Sequence, residues 1–154
     1  MLNAIPRGEV EIVIRRPVEE VFDYMADFAT DPEWRSGVVA MRPTSPHRRG
    51  LGATHVEVRR LFVRTMESPA EVIGYDAPRC IVFRRAGGPI RPQGTYIYER
   101  VSEGTRLTFI LEMPLPERWR ALSLPVALLT RLICLASLRD FRRLKRLLER
   151  REHP

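Results

Sequence analysis

Residues 10–38 read VEIVIRRPVEEVFDYMADFATDPEWRSGV, and within them the apolar period changes from two to three or four. From Glu9 to Arg16, Val10, Ile12 and Ile14 alternate with Glu11 and Arg15, the signature of a strand with one buried face. Pro17 then stands where a helix begins, and Val18, Val21, Phe22, Met25 and Phe28 recur at helical spacing. Asp31 can cap and Pro32 can open a second short helical turn, which runs through Arg35 and stops at Gly37. Glu19, Glu20 and Asp23 are carboxylates of the first helical turns. The positive end of the helix dipole accounts for them without any catalytic role.

Downstream of Gly37 the chain reads as six strands: Val38–Thr44, Ala53–Phe62, Met66–Tyr75, Cys80–Arg85, Thr95–Val101 and Arg106–Met113. Turn residues separate them, as in Arg48-Arg-Gly-Leu-Gly52, Asp76-Ala-Pro78 and Ser102-Glu-Gly-Thr105. Connections this short make neighbouring strands antiparallel. A last helix is expected from about Pro125 to about Arg151. The pattern is that of a single α+β domain over residues 1–154. Its most economical packing is a curved antiparallel seven-stranded sheet around the long C-terminal helix, with two short helices after the first strand.

A hydrophobic fraction of 44% with 29% charged residues belongs to a folded chain and excludes a disordered one. The net charge of +7 raises nucleic-acid binding. However, every basic residue except Lys145 is arginine, and most are scattered as doublets such as Arg48-Arg49 and Arg84-Arg85. Only Arg139–Arg151 forms a tract, and it reads as the solvated face of an amphipathic helix. No nucleic-acid partner is expected. Cys80 and Cys134 stand apart in apolar surroundings and read as reduced core thiols. Met1–Glu9 lacks the elements of a secretory signal. The expected location is cytoplasmic. His47, His55 and His153 are isolated, there is no nucleophile or phosphate-loop motif, and neither metal nor cofactor is expected.

Together with "GLGATHVEVRR", "YDAPRCIVFRR", "GTYIYERVSEGTRLTF" and "LRDFRRLKRLLER", the opening stretch resembles the polyketide cyclase/dehydrase and lipid-transport family. That family lies in the START-like (SRPBCC, helix-grip) superfamily, to which the birch-pollen allergen type also belongs. The resemblance implies a helix-grip fold with an apolar cavity between sheet and terminal helix. It leaves three functions open: a carrier or binder of a polyketide, isoprenoid, quinone or lipid; a cyclase/dehydrase-type enzyme using the same cavity; and a protein-binding co-regulator. It also implies that Trp34, after the second short helix, lines the pocket. The family's cyclases orient and protonate a poly-β-ketone with an arginine and a tyrosine; Arg60 and Tyr96 or Tyr98 have the matching side chains but do not stand in the cyclase motif.

Alternation supplies the rest of the expected lining. Within Ala53–Phe62, Val56, Val58, Arg60 and Phe62 share one face and His55, Glu57 and Arg59 the other. The first set is the more apolar, so it is expected inward, with Arg60 paired to Glu112, to a tyrosine hydroxyl or to a polar ligand group. Phe83, Tyr96, Tyr98 and Phe109 occupy the apolar faces of their strands. At about 100° per residue, Val126, Leu129, Ile133, Ser137, Phe141, Leu144 and Leu148 form one stripe of the last helix, with Leu129 and Ile133 at the cavity. Leu124, Leu128, Leu132 and Leu135 lie on the other side. Pro125, Thr130, Arg131 and Ser137 argue against a membrane span. This second set calls for a cover: the Pro114–Trp119 connection, the twofold mate of a homodimer, or a transient membrane surface.

Overall fold

The computed structural model describes residues 5–151, so Met1–Ala4 and His153 lie outside it. The elements follow the expected order: strand β1 (Arg7–Ile14), helix α1 (Val18–Ala26), a 3-10 turn at Phe28–Thr30, and helix α2 (Asp31–Trp34). Strands β2 (Val38–Pro43), β3 (Thr54–Leu61), β4 (Arg64–Asp76), β5 (Cys80–Arg85), β6 (Gln93–Val101) and β7 (Gly104–Glu112) come next. A 3-10 segment at Glu117–Leu122 then leads into helix α3 (Ser123–Arg150). All strands pair antiparallel in the order β1-β7-β6-β5-β4-β3-β2. The middle of the sheet is therefore a meander, and only β1 pairs with a strand distant in sequence.

The core lies between the sheet's inner face and the helices. Val18, Val21, Phe22 and Met25 of α1 close one end, where Phe22 meets Tyr98 edge-on at 5.1 Å between ring centres. The second half of α3 closes the other side with Phe141, Leu144 and Leu148, all fully buried. The helical run Glu117–Arg150 is long and apolar enough to cross a bilayer, but this half of it belongs to the core.

The first half of α3 departs from expectation. Its buried residues are Thr130 and Cys134, while Leu129 and Ile133 of the expected stripe are exposed. The cause is Gly8 in β1. A Cβ there would stand 2.6 Å from the Cys134 sulfur and 3.1 Å from the Thr130 carbonyl oxygen, so only glycine lets the helix backbone lie this close to the strand. The close approach rotates the contact line away from the leucines. Thr130 satisfies its hydroxyl on the Val126 carbonyl at 2.7 Å, which makes it a suitable buried residue.

Strand β3 is turned over relative to expectation. His55 and Glu57 are buried, whereas Val56 and Val58 are half-exposed and Arg60 and Phe62 are exposed. Valine favours a pleated strand even on a solvated face. The inward polar residues are in turn accommodated by partners: His55 stacks on Phe28 at 4.5 Å, and Glu57 is held by arginines from three elements.

Candidate functional site

Between the inner face of the sheet and α3 lies a cavity of about 700 Å³. Its apolar wall is a run of aromatic rings. Phe83 on β5 lies 5.5 Å from Tyr96 on β6, Tyr96 lies 5.2 Å from Phe109 on β7, and Phe109 meets Phe141 of α3 at 5.7 Å. Trp34, at the end of α2, stacks on Phe141 at 5.7 Å and closes one side. Strand register puts the rings in line, since Tyr96 is directly opposite Phe109 and Phe83 is opposite Gly94. A Cβ on residue 94 would fall 2.2 Å from the tip of the Phe83 ring, so glycine makes room for that ring to lie flat. Met66, Pro92, Leu111, Met113, Ile133 and Ala136 complete the apolar lining.

The opposite wall is charged. The Glu57 carboxylate accepts hydrogen bonds from Arg35 at 2.7 Å, from Arg85 at 2.9 Å and from Arg59 at 3.1 Å. Arg35 also donates to Asp31 at 2.9 Å, four residues back along the chain, and Arg85 donates to the Ser68 hydroxyl at 3.0 Å. Burial alone would raise the Glu57 pKa; the guanidiniums of Arg35, Arg85 and Arg59 outweigh it and hold the group at about 2. Burial wins at Asp31, which rises to about 6 despite Arg35, whose charge Glu57 also engages. Burial likewise lowers His55 to about 4 and drives the Tyr96 hydroxyl far above its ordinary range. With three cations against two carboxylates, this wall is at least one positive charge in excess.

Of the residues expected at the site, Trp34, Phe83, Tyr96, Phe109 and Ile133 line this one cavity. Tyr98 does not reach the cavity wall; it is buried beside Phe22, and its hydroxyl has no hydrogen-bond partner among the described residues. Val58 and Arg60 lie on the reverse side of β3, so Arg60 cannot orient anything inside. Leu129 lies on an exposed part of α3, outside the lining. The arginines that line the cavity are instead Arg35, Arg59, Arg85 and Arg139. The signal for Arg59 was present in the sequence: His55, Glu57 and Arg59 share a face, and opposite charges on one strand face can be buried as a pair. Among the described residues no three His, Cys, Asp or Glu side chains converge as a metal site.

A family model described as polyketide cyclase/dehydrase and lipid transport matches residues 6–149. The chain belongs to this family. Several solved structures share the family's fold. The di-domain ARO/CYC StfQ from the steffimycin biosynthetic pathway superposes with a TM-score of 0.77 at 13% identity, over 96% of this chain and 51% of StfQ. The chain therefore spans about half the length of StfQ. TTHA0849 from Thermus thermophilus gives 0.71 at 20% identity, over 93% of this chain and 97% of that one. Ara h 8.0201 gives 0.71 at 11% identity, over 96% and 100%. No curated protein matches the sequence. At these identities the structures speak for the helix-grip fold, and the family for a hydrophobic-ligand or cyclase role.

Proposed function

We propose that the protein binds, without covalent chemistry, a small and largely apolar molecule carrying one carbonyl or acidic end: a polyketide, isoprenoid, quinone or fatty acyl compound. The observation that carries this reading is the cavity itself, about 700 Å³ with an aromatic wall facing an arginine wall. That volume falls within the range of ordinary ligand sites. Burying ~300 Å² of ligand carbon at ~25 cal/mol per Å² contributes on the order of 7 kcal/mol. Association costs reduce this to about micromolar affinity. Arg59 and Arg85 supply the polar contact, and the excess positive charge favours a carboxylate or an enolised carbonyl over an amine.

Catalysis of the cyclase type is the second reading, favoured by Tyr96, whose protonated hydroxyl lies in the lining near Arg35. General acid–base work, however, wants a group poised near the working pH. Tyr96 lies far above it and Glu57, at about 2, far below; Asp31, at about 6, is buried behind Arg35 and does not line the cavity. Binding is therefore the reading we adopt. Native mass spectrometry of the purified protein, followed by solvent extraction, tests it. An apolar compound with an acidic or carbonyl end is the expected result; a protein that yields none and binds no fatty acid, quinone or polyketide would overturn it.

A further inference from the structure

One end of the molecule carries more bare apolar surface than its fold explains. The β3–β4 hairpin turns at Phe62-Val63, with Leu61 paired to Arg64. The two turn residues are 99% and 98% exposed. Phe62 also adopts φ +55, a region in which a bulky side chain is strained and where a two-residue hairpin would ordinarily place Asn or Gly. Nothing within the described residues repays that strain.

The second apolar protrusion is the first half of α3. Leu124 is 80% exposed, and the Pro114–Trp119 connection does not cover it. Taking about 100° per residue, the exposed Leu124, Leu128, Leu129, Leu132, Ile133 and Leu135 span roughly half the helix circumference. Strand register, together with the contact of Gly8 with Thr130 and Cys134, puts both protrusions at the same end of the sheet. Arg7 pairs with Glu112, Glu112 with Gln93, Gln93 with Arg84 and Ala70 with Arg85, while β3 and β4 continue past this line to Phe62. Between them lie the exposed members of the cavity lining, Met66 of β4 and Ile133 and Ala136 of α3, which mark its solvent side.

Charge identifies the occupant. Arg60 and Arg64 flank the hairpin tip, and Arg139, Arg142, Arg143 and Arg146 continue the leucine face of α3 into its second half. Among the described residues none of these six pairs with a carboxylate. The acids at the margins of that helix face are engaged elsewhere: Glu149 with Lys145, and Asp140 with the Ser36 hydroxyl. Of these arginines, Arg60 and Arg64 at the hairpin and Arg139 on the cavity lining stand beside the apolar tips, while the others lie further along α3 toward the Val13 end of β1. Apolar tips with unpaired arginines beside them match the acyl region and phosphates of an anionic bilayer. A second copy of the chain would meet the same positive charge and would cover one side of a helix exposed on several.

We infer that the cavity-mouth end of the protein docks on anionic lipid bilayers, with Phe62-Val63 and the leucines of α3 entering the interface and the arginines contacting phosphates. The inference stands apart from the identity of the cavity ligand. Co-sedimentation with vesicles of phosphatidylcholine alone and of phosphatidylcholine mixed with phosphatidylglycerol tests it. Binding should be at least about tenfold tighter to the mixed vesicles and should weaken in high salt. Phe62→Asn combined with Val63→Gly suits the turn and should leave the melting temperature unchanged or raised, yet weaken vesicle binding about tenfold. Leu128→Gln with Leu132→Gln should do the same. Wild-type protein that ignores anionic vesicles, vesicle binding that survives both double variants, or a dimer whose dissociation is the only effect of the leucine variant would each overturn the inference.

Discussion

Replacing Glu57 by glutamine tests whether the charged wall is a mutually dependent cluster. The carboxylate is shared by Arg35, Arg59 and Arg85, and its side chain is 4% exposed. Its pKa falls from 4.5 to about 2. At about 1.4 kcal/mol per pH unit, a displacement of that size corresponds to about 3 kcal/mol of stability. Because the folded-state value is the depressed one, this contribution is complete above pH 4.5 and disappears as pH falls toward about 2. Glu57→Gln also leaves three guanidiniums short of their shared partner, so the loss at neutral pH should reach about 3–5 kcal/mol. Urea unfolding of both proteins across the acid range gives the gap, since carboxylates outside the cluster cancel in the difference and only Asp31, which shares Arg35 with Glu57, does not. The gap should be largest at neutral pH and shrink by about 3 kcal/mol on acidification. A gap under about 1 kcal/mol at neutral pH, or one that does not change with pH, would refute the reasoning.

Two further outcomes follow from groups nearby. Asp31, raised from 3.8 to about 6, costs stability as pH rises through that window, whereas His55, lowered from 6.5 to about 4, adds stability as pH rises through nearly the same one. Asp31→Asn should therefore uncover a rising limb of about 3 kcal/mol that the native protein masks, measured by urea unfolding in steps from about pH 4 to 6.5; an unchanged profile would contradict the opposition. At the helix–strand crossing, Gly8→Ala should cost about 1–3 kcal/mol through the clash with Cys134. Adding Cys134→Ala should recover at least about 1 kcal/mol of that in a double-mutant cycle, and strict additivity would show that the close approach is not what holds α3 in place.

Much of the fold can be read from periodicity because strands and helices here keep to their own periods. Val10, Ile12 and Ile14, then Pro17, place β1 and α1 within a residue or two, and the meander follows from short turns. Much of the aromatic half of the cavity wall was legible too: strand alternation puts Phe83, Tyr96 and Phe109 on inward faces, while Trp34 came from the family resemblance alone. The charged half was not. Alternation shows that β3 has two faces but decides which is inward only by hydrophobicity, and that criterion fails when glutamate and arginine neutralise one another across strands. Glu57 is inward because Arg85 on β5 and Arg35 after α2 reach the same point, and neither register nor the α2 placement is written in the local pattern of β3. Leu129 was misplaced for a related reason: a single glycine on β1, remote in sequence, sets the rotation of the helix that carries it.

The pairing order also bears on how the chain is made. Strands β2 to β7 each find a partner in the strand just before or after them, so the meander can zip up as it leaves the ribosome. Strand β1 has no such neighbour. It pairs with β7 alone, and its Gly8 receives α3, so its partners emerge about a hundred residues later. During synthesis the first strand and α1, with Phe22 and Met25, wait unpaired while the rest is translated, and joining the two ends of the chain is the late event that completes the sheet. The nascent chain is thus open to misassociation for nearly its whole length, and β1 is the segment for which a holding chaperone would find the longest opportunity.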